Sequence, residues 1–110
     1  MDSANRKRLK SAYQDRPVIG GVYMIQCAAN GRRWIKSTRN LEGQRNQFAF
    51  AASTNLCPEP GMREEWNRYG AQAFSFAVLE ELKKKEGQTD RAFSEDLEVL
   101  LEMWLEKNGM

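Results

Sequence analysis

Asn30-Gly31 lies between Gly20–Cys27, a run rich in Val, Tyr and Ile, and the return run Arg33-Trp34-Ile35. Both central residues of a two-residue hairpin turn need positive φ, so this pair predicts a tight β-hairpin. An isolated hairpin is marginal in water and requires a further strand and a covering layer. Phe74-Ser75-Phe76-Ala77-Val78-Leu79 alternates large and small residues and supplies that strand, expected antiparallel in the same sheet.

The remaining segments read as helices. Residues 3–15 start at Ser3, carry a narrow stripe of Leu9, Ala12 and Tyr13, and end before Pro17. Ser37, Thr38 and Asn40 offer N-caps for a helix over 40–52. Pro58 and Pro60 mark the loop 53–60, and a short helix over 61–69 places Met62, Trp66 and Tyr69 before Gly70. Residues 83–88 read as a charged connector, with Lys83-Lys84-Lys85 solvated. A last helix over 91–107 sets Phe93, Leu97, Leu100, Leu101 and Trp104 on one face. The expectation is an α+β fold: a small three-stranded antiparallel sheet flanked by helices, over residues 17–110, with an extra N-terminal helix in 1–16.

Composition narrows the chemistry. The 110 residues and 12.7 kDa fit one domain, and no apolar run approaches the roughly 20 residues of a membrane span. No signal-peptide core is evident, so the expected setting is cytoplasmic with no membrane partner. The chain has no histidine, which excludes Ser-His-Asp and Cys-His catalysis and His-ligated zinc. Cys27 and Cys57 are too few for a four-cysteine zinc site and read as reduced packing residues. The net charge of +2 is unevenly spread: residues 1–47 hold ten basic and three acidic side chains, whereas residues 80–110 hold five and nine. The basic half permits an electropositive face for phosphate.

Gly21-Val22-Tyr23, the Asn30-Gly31 turn and Trp34-Ile35-Lys36-Ser37-Thr38-Arg39-Asn40-Leu41 together resemble the GIY-YIG nuclease superfamily. Glu65-Trp66-Asn67-Arg68-Tyr69-Gly70, Phe74-Ser75-Phe76 and Leu79-Glu80-Glu81-Leu82 look like the middle of intron-homing members and small bacterial relatives. Leu100-Leu101-Glu102-Met103-Trp104-Leu105 looks like their last helix. The resemblance implies metal-dependent cleavage of a DNA phosphodiester. In it, a tyrosine lies near the attacking water, an arginine of the first core helix steadies the phosphate and a glutamate of the last helix holds a divalent cation.

Position by position, the resemblance carries over unevenly. Tyr23 and Gly21 match the first motif. Trp34 stands for the aromatic of the second motif and Lys36 for its glycine, where a side chain would crowd an approaching phosphate. The arginine position falls on Gln44, with Arg45 one residue along and so about 100° around the helix. One turn further on, where many members have histidine or tyrosine, stands Phe48, and the glutamate position falls on Leu101, beside Glu98 and Glu102. Only Asn108 approximates the C-terminal asparagine of active members.

Three functions follow. The first is a catalytically impaired nuclease-fold domain that binds DNA, or less favourably RNA, through a basic face. That face comprises Arg32, Arg33, Lys36 and Arg39, with Trp34 stacking on an unpaired base; Lys7, Arg8, Lys10 and Arg45 extend it, and no cofactor is needed. The second is an active endonuclease using Tyr23 and Arg45, with Mg²⁺ or Mn²⁺ on Glu98 and Glu102. The third is a protein-interaction module on a retired nuclease fold.

Overall fold

Strand β1 (Ile19–Cys27) is the middle of the sheet, between β2 (Arg33–Thr38) and β3 (Phe74–Lys83), and both pairings are antiparallel. The structure, a computed structural model, describes residues 18–108; the helix expected over 3–15 lies outside them. Between β2 and β3 run α1 (Leu41–Thr54), a 3-10 turn (Pro60–Met62), α2 (Arg63–Tyr69) and a second 3-10 turn (Ala71–Ala73). Helix α3 (Asp90–Lys107) follows β3. The α+β class and the three-stranded antiparallel sheet expected from sequence are what the chain forms.

The hairpin is present, but its turn is not the two-residue form the sequence suggested. Only Gly31 has positive φ (75°); Asn30 does not. The chain reverses over residues 28–31, with Gly31 N donating to Cys27 O (2.8 Å) and Cys27 N to Arg32 O (2.9 Å). Asn30 contributes its side chain instead, accepting from Arg32 N at 3.0 Å. The longer reversal needs left-handed backbone at one residue only, and glycine takes it.

Strand β3 also runs past the expected 74–79 to Lys83, because Ile19 and Gly20 pair with Lys83 and Leu82 and satisfy backbone groups a connector would leave to water. A register shift falls between Val22 and Tyr23, so Tyr23 faces Val78 while Val22 faces Glu80. This bulge re-aims the far end of β3. Of the three N-cap candidates, Asn40 caps α1 by accepting from Gly43 N (3.0 Å), while Thr38 Oγ1 accepts from Asn40 N (3.1 Å). Helix α1 continues to Thr54 and closes on Asn55 in the left-handed region (φ 58°).

Alternation along β1 divides the core in two. Tyr23, Ile25 and Cys27 point to the face covered by α1 and α2, where they pack with Leu41, Ala51, Met62, Trp66 and Phe74. Gly20 and Val22 point to the other face, beneath α3, whose Phe93 ring lies against Gly20. Phe93 and Leu97 are the buried residues of α3; Leu100, Leu101 and Trp104, expected on the same apolar face, are half-buried. Both cysteines are free thiols, Cys27 buried in the first core and Cys57 half-buried against it. Burying side chains of this size contributes about 1.5–3 kcal/mol each, so the two layers carry the stability of the sheet. Among the described residues, no helix is long and apolar enough to cross a membrane.

Candidate functional site

Tyr23 sits at the centre of β1 on the face covered by α1 and α2, and is 3% exposed. Its ring stacks on Phe76 of β3, with centroids 5.1 Å apart. Its hydroxyl donates a long hydrogen bond (3.4 Å) to Gln44 Oε1 of α1. Burial, and after it the charge of Glu59, pushes the Tyr23 phenol up to about 12. Register places Lys36 of β2 directly across from Tyr23, and the Lys36 ammonium pairs with the Glu59 carboxylate in the loop between α1 and α2. The tyrosine is thus enclosed by Gln44 on one element and by the Lys36–Glu59 pair on two others.

The other basic residues of the second motif strand are dispersed. Trp34 shares the Tyr23 face and stacks on Phe74, 5.9 Å between centroids. Arg32 lies over the Trp34 ring at 4.9 Å and pairs with Glu65 of α2 at 2.5 Å. Arg33 alternates to the opposite face, where its guanidinium donates to Asn108 Oδ1 at the end of α3 (3.3 Å). Sequence assigned neither Glu59 nor Glu65 a role in the site, although Glu65 opens the middle motif of the resemblance. Glu59 gives no local signal in its proline-flanked loop, and only its neighbour Trp66 hints that Glu65 faces inward.

The Arg32–Glu65 pair has a pH signature. The Glu65 side chain is 10% exposed, and its carboxyl is held below the ordinary 4.5, first by the hydrogen bond from Arg32. A carboxyl lowered in the folded state adds stability that is full above its unfolded pKa and drains as pH falls through the folded one. Arg32→Met is therefore expected to lower Tm most near neutrality, with the gap to wild type closing below pH 4.5. A gap that stays constant from pH 7 to 3 would show that the pair contributes no charge-dependent stability.

Arg39 and Arg45 are both exposed and meet in one place. They line a cleft of about 890 Å³ between the start of β1, the first two turns of α1 and the far end of β3. Val18, Ile19, Leu41 and Val78 give it apolar walls, and Glu42 and Glu81 add carboxylates. The Arg45 guanidinium also lies 5.9 Å from the centroid of Phe76, the ring that stacks on Tyr23. Neither arginine is in a salt bridge among the described residues. Arg39 reaches Asp90 through its field: the Asp90 carboxyl is lowered by hydrogen bond and charge from Lys84, and further by Arg39.

Among the described residues, no group of three or more Cys, Asp or Glu side chains converges as a metal site. Glu98 and Glu102 are exposed on α3, the helix on the sheet face opposite to Tyr23. Leu101 between them is half-buried.

No family model matches the chain, and no curated protein matches it by sequence. Solved structures do match it by fold. A point mutant of the catalytic domain of the intron endonuclease I-TevI superposes with a TM-score of 0.57 at 15% identity, over 81% of this chain and 82% of that one. A second structure, of the catalytic domain of the homing endonuclease I-TevI, superposes with a TM-score of 0.50 at 15% identity, over 80% and 86%. The chain therefore has a GIY-YIG-like fold.

Proposed function

We propose that this GIY-YIG-like domain holds nucleic acid by its phosphates and does not hydrolyse it. The observation that carries the reading is the hydroxyl of Tyr23, which is buried, raised to about 12 and bonded to the neutral amide of Gln44. A tyrosine assisting an attacking water needs access to that water, and the Tyr23 side chain is buried with its hydroxyl turned to Gln44. An arginine at the Gln44 position would stabilise charge developing on the phosphoryl oxygens, and its loss ordinarily costs about 10³-fold or more in rate. Among the described residues, the carboxylate whose charge acts on Tyr23 is that of Glu59, which is already paired with Lys36.

Arg39 and Arg45 are the side chains best suited to contact phosphate. Each is exposed, and a guanidinium fork pairs with two phosphate oxygens at once. Arg32 and Lys36 already have carboxylate partners and contribute less. Glu42 and Glu81 line the same cleft and repel an anion, so the contact falls to the two guanidinium groups. DNA is the favoured polymer, on the strength of the fold.

Anisotropy of a labelled DNA duplex tests the reading. Binding is expected to persist in EDTA and to weaken linearly as log affinity against log salt. Affinity that requires Mg²⁺, or that ignores salt, would contradict it.

A further inference from the structure

Helix α3 carries more apolar surface than the sheet covers. Leu100, Leu101, Trp104 and Leu105 are half-buried, while Val99 and Met103 are 57% and 59% exposed. At about 100° per residue, Leu97, Leu101 and Trp104 share the sheet-facing side. Leu100, Met103 and Val99 step away from it by roughly 60°, 120° and 160° in turn, forming a strip along one flank. Glu95, Glu98, Glu102 and Glu106 occupy the other flank as an acidic ridge, all exposed. Asp96 and Lys107 fall on the same flank at about 100° and 80°, so the exposed apolar part of it is Val99 and Met103, with Leu100 beside them.

The chain itself contains chemistry that fits. Residues 1–16, outside the described part, hold Arg6, Lys7, Arg8, Lys10 and Arg16 against Asp2 and Asp15, with Leu9, Ala12 and Tyr13 at helical spacing. We propose that the Val99–Met103 strip of α3 is the docking surface for this basic segment of the same chain. The tether permits it. Val18 O accepts from Lys84 N at 2.9 Å, so the segment joins the sheet close to where α3 begins at Asp90. Val99 lies about 14 Å along the helix from Asp90, and sixteen residues span about 24 Å even when fully helical. A second copy of α3 fits less well, because pairing two such surfaces brings acidic ridges of like charge together. The proposal does not depend on nucleic-acid contact.

Disulfide trapping in the full chain tests it. In a Cys57→Ser background, with Cys27 buried, Leu9→Cys is combined with Met103→Cys, or with Phe50→Cys as a control on α1. Both partner positions are exposed, so the variants are expected to fold. Under mild oxidation of dilute protein, the Met103 pair is expected to close within one chain at least about tenfold faster than the Phe50 pair. Adding Glu102→Lys and Glu106→Lys is expected to slow that closure by about tenfold. Equal rates at the two positions, or closure indifferent to charge reversal, would overturn the proposal. Cross-links that form only between chains and rise with concentration would also overturn it and assign the surface to a second copy.

Discussion

Gly21→Ala is expected to destabilise the domain by about 3 kcal/mol or more, a large share of the 5–15 kcal/mol that holds a domain of this size together. A Cβ at this position would sit 2.0 Å from Glu80 O and 3.0 Å from both Glu80 C and Glu81 Cα. All three are backbone atoms of the neighbouring strand, so no side chain can swing aside to relieve the clash. β1 is the central strand, and pushing β3 away opens its ladder at the register shift. Thermal unfolding should show Tm lower by about 12 °C or more. Gly31→Ala is the matched control: nothing lies within 4 Å of its added Cβ, and only the positive φ of 75° resists the change. That variant should lose about 1–2 kcal/mol. Equal losses at the two glycines would show that close packing of β3 on Gly21 is not what the position requires.

The double variant Arg39→Ala, Arg45→Ala is expected to lower DNA affinity by about 60-fold at 0.1 M salt and to reduce the salt slope by about 1.8. Each phosphate contact to duplex DNA releases about 0.9 counterion, so two contacts are worth about 1.8 decades at that concentration. Both arginines are exposed, so the fold and Tm should be unchanged within about 0.5 kcal/mol. Arg32→Ala and Lys36→Ala should each change affinity less than either cleft arginine alone, because Glu65 and Glu59 already neutralise those cations. If instead Lys36→Ala has the largest effect, the phosphates run along β2 and not across the cleft.

What the sequence revealed of the fold was what short-range chemistry decides. Val, Tyr and Ile marked β1, Asn40 was one of the three caps offered for α1, and Phe93 and Leu97 belonged to the apolar face expected of the last helix. The end of β3 was not legible, because residues 80–83 are polar and become a strand only by pairing with Ile19–Val22. Long-range ion pairs were equally invisible: Arg32 meets Glu65, and Lys36 meets Glu59, across 33 and 23 residues of chain. Without those partners, the basic residues of β2 read as one free electropositive face. Period-two alternation alone separates Arg33 from Trp34, and that signal was present in the sequence. Gln44, set at the arginine position by counting along the resemblance, is the α1 residue whose amide accepts from the Tyr23 hydroxyl. The cleft was half legible: Arg39 and Arg45 stood out by charge, whereas Glu42 and Glu81 join them only once α1 and β3 are in place.

The most direct test of contact without hydrolysis is supercoiled plasmid incubated with the full chain in Mg²⁺, Mn²⁺ or EDTA and read on one native gel. The prediction is intact supercoiled DNA in every lane, retarded to the same extent with and without metal. Metal-dependent nicking that disappears in Arg45→Ala would contradict the loss of hydrolysis and make Arg45 part of a working site. Intact plasmid of unchanged mobility would contradict the nucleic-acid contact itself.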